Sequence, residues 1–509
     1  MAKTSKSGKA NRKLVSGGMI VIIVAIVLVI ACFFTYISGV LPRTMTGVSI
    51  TETLPDGTKK VVKNFNLLET NMHFKEVFNT YSNYGMVTEE ALDAIYNEST
   101  GETYRDWILR EAASQMKTLA FVERAAQESG FMQYSKAHEY AAAQTASVDA
   151  YAAMYGFQSA QQYMAAMYGT GMTTRDFIDY SAREVLVTEY GYYLKQFDPS
   201  VVPTADQIQS EFDANPYKYY TYDFNRYFIT AEKDADGNIT GLDDAIAAAN
   251  KIASASKDSA SFRTAVMDYL KDKGDDTTLA TFDNDADPTI YEGYTNESIA
   301  YMDSEIQDFF YGDSKPGDTT VVETTTGAFV IYLADKRLDD TKTVSFRVLT
   351  LTNDVARQAG ATPEEIAQGA QDLAAEAATY ATSGMDPLSF YNVVKNHSTG
   401  EAMLDGGYTG GVTADYFVSS DAENPLDMAQ VQAGMWLFED GRNTGDVKIF
   451  ISDDQKTVYV YYFEESAPVW QNAVKNSLIT TNFTNWNSNI MANDPQYEVN
   501  AGLMKVFIY

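Results

Sequence analysis

Apolar residues change their spacing several times along this chain, and each change predicts a different element. Met19 to Leu41 is an uncharged run of 23 residues, long enough as a helix to cross a hydrocarbon core of about 30 Å. Val48 to Asn64 surrounds Leu54-Pro-Asp-Gly-Thr58 and predicts a hairpin through an Asp-Gly turn. From Tyr104 to Ser129, the residues Trp107, Ile108, Ala112, Met116, Leu119, Ala120 and Val122 recur at helical spacing, with Gly130 as the stop. Ala141 to Met167 predicts an Ala-, Met- and Tyr-rich helical pair broken near Gly156, and Asp176 to Gln196 an amphipathic helix capped by Thr173 or Thr174. Pro468 opens a late helix in which Trp470, Val474 and Leu478 recur every four residues; Phe483, Trp486 and Ile490 continue the stripe after a shift of phase. Tyr497 to Tyr509 predicts a terminal strand.

Between these helical regions the chain repeats itself. Asp386, Ser389, Phe390, Phe438, Gly445 and Asp446 recur as Asp258, Ser261, Phe262, Phe310, Gly317 and Asp318, each at an offset of 128. One offset over all of these positions points to two copies of one module. Each copy opens with a strand-like run, Tyr222 to Thr230 and Thr343 to Leu351, and closes with another, Gly327 to Leu333 and Thr457 to Phe463. A strand, a helix-rich middle, a loop, a helix, a turn and a strand make an α+β unit of about 120 residues. In the second copy the helix through Phe390, Val393 and Val394 breaks into a loop holding Gly400, Gly406, Gly407, Gly410 and Gly411. Glycines at that density mark backbone at positive φ or in close approach.

This order resembles the parvulin-type peptidyl-prolyl isomerase domain. Arg226 to Thr230 and Arg347 to Leu351 match its first strand, Gly406-Gly-Tyr-Thr-Gly410 its glycine loop, and Gly317-Asp318 and Gly445-Asp446 its turn. Tyr168 to Phe177 and Phe121 to Gly130 resemble the helical N-terminal domain of SurA/PrsA-type extracytoplasmic foldases. The resemblance implies an α+β multidomain protein. Residues 1–18 would be a cytoplasmic basic tail and 19–41 a transmembrane anchor. Residues 45–200, with a returning segment 468–509, would be a helical chaperone domain, followed by parvulin-like modules over 203–338 and 343–465.

The family keeps a His on the first strand, a His on the last, and a Cys or Asp near the glycine loop. Here Tyr227 and Val348 stand at the first position, Phe329 and Tyr459 at the last, and Gly400 near the third. His73, His138 and His397 are the only histidines, and none aligns with a catalytic position. The first copy also lacks the double glycine and has Asp283-Asn-Asp-Ala-Asp-Pro288 instead. Both modules therefore read as peptide-binding or architectural, with no catalytic residue, metal or cofactor assigned. Isomerisation about an X-Pro bond needs no nucleophile, only a pocket that fits the twisted amide, so an active isomerase stays as an alternative. Candidate peptide-contacting residues are Tyr227, Met302, Ile306 and Phe329 in the first module, and Met428 and Trp436 in the second.

Charge and compartment narrow the partners. Five basic residues precede the apolar run, leaving 33 Lys and Arg against 69 Asp and Glu beyond it. That acidity argues against nucleic acid and anionic lipid, and favours basic or neutral polypeptides. The basic flank predicts a cytoplasmic N-terminus and an extracytoplasmic bulk; a cleaved signal peptide is the rival. Cys32, the only cysteine, sits within the run. Val29-Ile-Ala-Cys32 admits lipidation, although the apolar residues continue past it. No disulfide is available outside. Glu232 to Asp243 echoes a calcium loop with its end ligands altered, and a polar turn is the competing account. Methionines 154, 164, 167 and 172 suit either a core or a surface that adapts to varied apolar clients. The expectation is a single-pass, ATP-independent chaperone for unfolded secreted chains, with a surface adhesion or binding protein as a further alternative.

Overall fold

The structure, a computed structural model, describes residues 39–283, 287–418, 426–493, 495–500 and 502–504. The apolar run lies outside them as far as residue 38. Among the described residues no helix is long and apolar enough to cross a membrane. The architecture is α+β and multidomain, with several small antiparallel sheets. It divides into two units. One holds the described residues up to Leu194 with Thr399–Asp405 and those from Asn485 onward; the other holds Lys195–Ser398 and Gly406–Thr484.

In the first unit, α1 (Val40–Thr44) leads into the hairpin β1 (Thr46–Thr53) and β2 (Lys59–Asn66). The turn closes with Gly57 N donating to Leu54 O at 2.8 Å and Thr58 N to Asp56 Oδ1 at 2.9 Å. Val48, Ile50 and Phe65 are fully buried while Lys59 and Lys60 are exposed, the alternation of a half-buried sheet. Asn66 ends β2 and caps α2 (Leu67–Asn83), accepting from Glu69 N at 2.9 Å. A short hairpin, β3 (Ile95–Asn97) and β4 (Glu102–Thr103), precedes α3 (Tyr104–Glu128). This helix buries Ile108, Ala112, Met116 and Phe121, and Gly130 follows at φ 77°.

The expected helical pair is three short helices, α4 (Ala137–Gln144), α5 (Val148–Met154) and α6 (Ala160–Tyr168). Gly156 supplies one break at φ 78°. The other falls at Thr145, whose hydroxyl donates to Ala142 O at 2.7 Å and so competes with helix continuation. Of the four methionines, Met164 and Met172 are buried, whereas Met154 and Met167 are exposed. Helix α7 (Thr174–Phe197) starts where Thr173 Oγ1 accepts from Asp176 N at 3.2 Å. At the other end of the chain, Trp486 meets Tyr190 edge to face at 5.8 Å. The terminal strand is shorter than expected: Gln496–Val499 pairs with β1, and residues 502–504 are helical.

Asp176 also receives Arg43, with Nε to Oδ1 at 2.9 Å and Nη2 to Oδ2 at 2.6 Å, while Nη2 donates to Gly171 O at 2.7 Å. Burial alone would raise the Asp176 pKa, but bonds from Arg43 and Thr173 outweigh it and hold the carboxyl below its ordinary value. Gly171 sits at φ +93° with its backbone against Gly39; a Cβ there would come within 2.4 Å of Gly39 Cα.

In the second unit, α8 (Ala205–Ala214) precedes two sheets of the same plan. The first has β5 (Tyr220–Thr230), β6 (Ile290–Tyr294), β7 (Thr319–Thr324) and β8 (Gly327–Leu338), in spatial order β6-β5-β8-β7. The second has β9 (Lys342–Thr352), β10 (Tyr408–Val412), β11 (Val447–Ile451) and β12 (Thr457–Pro468), in order β10-β9-β12-β11. All pairs are antiparallel. Helices α9 (Leu242–Ala255), α10 (Ser259–Lys273) and α11 (Ser304–Tyr311) belong to the first copy. Helices α12 (Pro363–Tyr380), α13 (Pro387–His397) and α14 (Met428–Leu437) belong to the second, and α15 (Val469–Ile490) follows β12.

The repeated residues, apart from Phe310, which is fully buried, and Phe438, which is not, do the same physical work in both copies. Asp258 and Asp386 cap α10 and α13, accepting from Ser261 N at 2.7 Å and Ser389 N at 2.9 Å. Phe262 and Phe390, one residue further on, are fully buried. Gly317 N donates to Leu333 O at 2.8 Å and Leu333 N to Asp318 O at 2.9 Å. Gly445 N donates to Phe463 O at 3.0 Å and Phe463 N to Asp446 O at 2.9 Å. A bulge follows at Ala334 in one copy and at Glu464 in the other.

Counted from these bonds, Leu333 corresponds to Phe463 and Phe329 to Tyr459. The cross-strand pairs then equate Phe224 with Phe346, Arg226 with Val348 and Tyr227 with Leu349. Matching Arg226 to Arg347, as the sequence suggests, is one residue out of register. A slip of one transfers a side chain to the opposite face, so the two arginines lie on opposite sides of their sheets.

Two outcomes are expected. Gly171→Ala loses about 2 kcal/mol of stability or more, since a side chain at positive φ and a backbone collision add, read as a fall in the urea midpoint. Asp176 adds stability above the ordinary carboxylate range that is lost as pH falls through its depressed folded pKa. Asp176→Asn should therefore be less stable than the parent at neutral pH and converge on it in acid, checked by thermal melts across pH.

Candidate functional site

The second copy carries a cavity of ≈ 330 Å³ on one face of its sheet. Strand alternation supplies three walls: Phe346, Val348 and Thr350 from β9, Tyr459 and Tyr461 from β12, and Thr409 from β10. Tyr416, Phe417, Leu426 and Gln430 complete the lining. Helix α14 is fixed by Asp427, whose Oδ1 accepts from Ala429 N at 2.7 Å. It presents Gly434 to the Phe417 ring, where a Cβ would stand 2.3 Å from Cγ. Phe417 can lie flat there only because that position has no side chain. Phe346 meets Tyr461 at 5.5 Å and Phe417 at 5.6 Å between ring centres.

The glycine loop sets the strand beside this cavity. Gly407 O accepts from Val348 N at 3.0 Å. At φ +67°, a Cβ on Gly407 would stand 2.2 Å from the Val348 carbonyl oxygen, so only glycine brings β10 this close to β9.

Among the described residues that line the cavity there is no His, Cys, Asp or Glu. Burial raises the pKa of Tyr461 and of Tyr459, so both phenols stay protonated at neutral pH. The described lining is thus aromatic and uncharged, with hydroxyls and one amide as neutral hydrogen-bonding groups. It can enclose an apolar or proline-sized side chain and orient a peptide group.

Val348 and Tyr459, from neighbouring strands, both line this cavity. None of the six candidate peptide-contacting residues lines it. Met302, Ile306 and Phe329 pack in one cluster of the first copy, with Ile306 fully buried. Tyr227 belongs to the cluster on the opposite face, against α9 and α10. Arg226 stands on the other face instead, its guanidinium over Tyr291 at 4.7 Å and Phe329 at 5.4 Å. In the second copy, Trp436 is core, beneath Arg442 and against Phe450, and Met428 is exposed at the start of α14; neither lines the cavity. Sequence reasoning passed over Phe346, Thr350 and Tyr461, although their period-2 spacing was visible. Tyr416 and Phe417 come from a segment with no period at all.

A larger recess of ≈ 800 Å³ lies by the first turns of α15, walled by Glu211, Lys218, Trp470 and Thr480 among others. Its walls are mixed in polarity, and of the strands only the first residues of β5 and Gly411 reach it. His397 stacks on Tyr380 at 3.9 Å, and His138 pairs with Asp179 at 3.1 Å on the surface. The calcium-like stretch closes on itself: Asp234 accepts from Asp236 N and Asn238 N, and Lys273 pairs with Glu232 at 2.7 Å. That is the geometry of a polar turn.

Neither a scan against protein-family models nor a search of curated proteins returns a match for the chain.

Thr350 is exposed at the cavity rim. Thr350→Trp is expected to fill the opening and weaken binding of a proline-containing peptide about tenfold or more, the loss of one well-packed contact set. The melting temperature should stay at the parent value, with affinity read by fluorescence anisotropy.

Proposed function

We propose that the chain is a membrane-anchored, extracytoplasmic chaperone of the foldase type, which holds unfolded secreted polypeptides without ATP. The two copied modules serve as parvulin-like peptide-binding frames, and the helical first unit as a chaperone domain. One observation carries the reading: an aromatic cavity opens where the first and last strands of the second copy meet, and among the described residues that line it there is no acidic, basic or histidine side chain. Such a lining favours loose capture of apolar segments over selective chemistry. The acidic excess beyond the apolar run keeps a client-loaded chain soluble and suits basic or neutral clients.

A second reading, an active prolyl isomerase, draws on the same cavity. By the resemblance, Val348 and Tyr459 stand where that family keeps histidines; both line the cavity, and a desolvated aromatic pocket with neutral donors would lower an amide barrier without acid or base.

With the full chain in detergent micelles, near-stoichiometric protein should suppress aggregation of a thermally unfolding client without ATP, and Thr350→Trp should reduce that suppression. Proline-peptide isomerisation should proceed at the uncatalysed rate. Acceleration that Thr350→Trp abolishes would establish the second reading instead. Absence of both effects removes the foldase proposal.

A further inference from the structure

The first unit holds a cluster that the peptide-binding reading does not use. His73 on α2 has no exposed side-chain surface, yet neither ring nitrogen makes a hydrogen bond. Its Nδ1 lies 2.8 Å from Glu184 Oε1 on α7 and 3.4 Å from Glu76 Oε2, one turn further along α2. One donor atom from each residue lies within 4.8 Å of the others. A buried ring nitrogen this close to two carboxylate oxygens, with neither contact in hydrogen-bond geometry, places three potential donors together.

That spacing suits an ion. Two donors on a tetrahedral zinc with bonds of about 2.0–2.2 Å stand about 3.3–3.6 Å apart, and closer in higher coordination. His73 and Glu76, three apart on one helix, sit on the same face, and α7 supplies the third donor. Both carboxylates keep about a third of their side-chain surface exposed, 33% for Glu76 and 37% for Glu184. An ion therefore has a way in and room for a water, while the imidazole stays on the buried side.

The neighbouring charges are otherwise paired: Glu69 with Arg183, and Glu123 with Lys63 and Arg183. They leave this trio as the local acidic excess.

We propose that His73, Glu76 and Glu184 bind one divalent first-row cation, with zinc preferred, and that the ion fastens α2 to α7. One imidazole and two carboxylates match zinc and its neighbours better than calcium or magnesium, which take oxygen alone. No thiolate is present, so the site binds more weakly than cysteine-rich structural zinc and responds to metal supply.

The test uses the tag-free full chain in detergent micelles, stripped with chelator and titrated with zinc chloride by calorimetry. One zinc per chain and a zinc-dependent rise in melting temperature are expected. Loss of an outer-shell partner costs about 10–100-fold in metal affinity, so Glu76→Gln and Glu184→Gln, each removing a donor, should weaken binding at least tenfold. Both residues are partly exposed, and the chelated variants should melt as the chelated parent does. Asp179→Asn, which breaks the surface pair with His138, should leave zinc affinity unchanged. Cobalt should give a d–d absorption band that Glu184→Gln removes. No zinc uptake by the parent, unchanged affinity in both glutamate variants, or loss in the Asp179 variant would each overturn the assignment.

Discussion

Two reciprocal main-chain bonds, repeated, govern how this chain presents its side chains. Where a Gly-Asp turn meets the last strand, glycine N–H donates to a strand carbonyl and that same strand residue donates back to the aspartate carbonyl. The bulge that follows at Ala334 or Glu464 then sets the phase of the whole ladder. Every residue from Phe329 to Leu333, and from Tyr459 to Phe463, is assigned a face by that local event. The first strand inherits its phase through pairing. The inner surface of each module is thus decided some distance from where it is used.

Within a common frame the copies have diverged in what they bury. Asn225 in the first copy answers to Arg347 in the second, and both are inaccessible. Asn225 bonds to Thr289 at 3.0 Å, a neutral contact. Arg347 instead sets Nε 2.9 Å from Glu464 Oε2, and its guanidinium stacks near Phe197, Tyr391 and Tyr408. The bulged residue is alanine in one copy and this glutamate in the other, so a backbone irregularity has been recruited to neutralise a buried charge. Such a pair adds less stability than its geometry suggests, since both ions are desolvated, but removing either partner strands the other. On the opposite face the exchange runs the other way: Arg226 covers the rings of the first copy, whereas valine at the same place leaves the second open.

How much of this the sequence disclosed depends on how local the determinant is. Capping aspartates, glycine stops, the Asp-Gly hairpin and the Gly-Asp turns act within a few residues, so the copied framework could be seen before any coordinates. The face of Arg226 could not, because a bulge shifts register silently and two arginines in similar strings invite the wrong pairing. The cavity was half visible, its strand residues alternating as strands do, while Tyr416 and Phe417 arrive from an aperiodic segment. His73 was obscured differently. Leu67 to Phe74 are all buried, so α2 shows no polar stripe there, and the residue that gives His73 its meaning, Glu184, lies on a helix far along the chain.

The contact between Gly39 and Gly171 bears on how the first unit is held. The two backbones cross without side chains, and the Arg43–Asp176 clasp lies four residues beyond Gly39. Folded structure therefore begins inside the tail of the uncharged run, which ends at Leu41. A side chain added at Gly39 would meet the Gly171 carbonyl oxygen at 2.8 Å, so the crossing tolerates no bulk from either strand of chain.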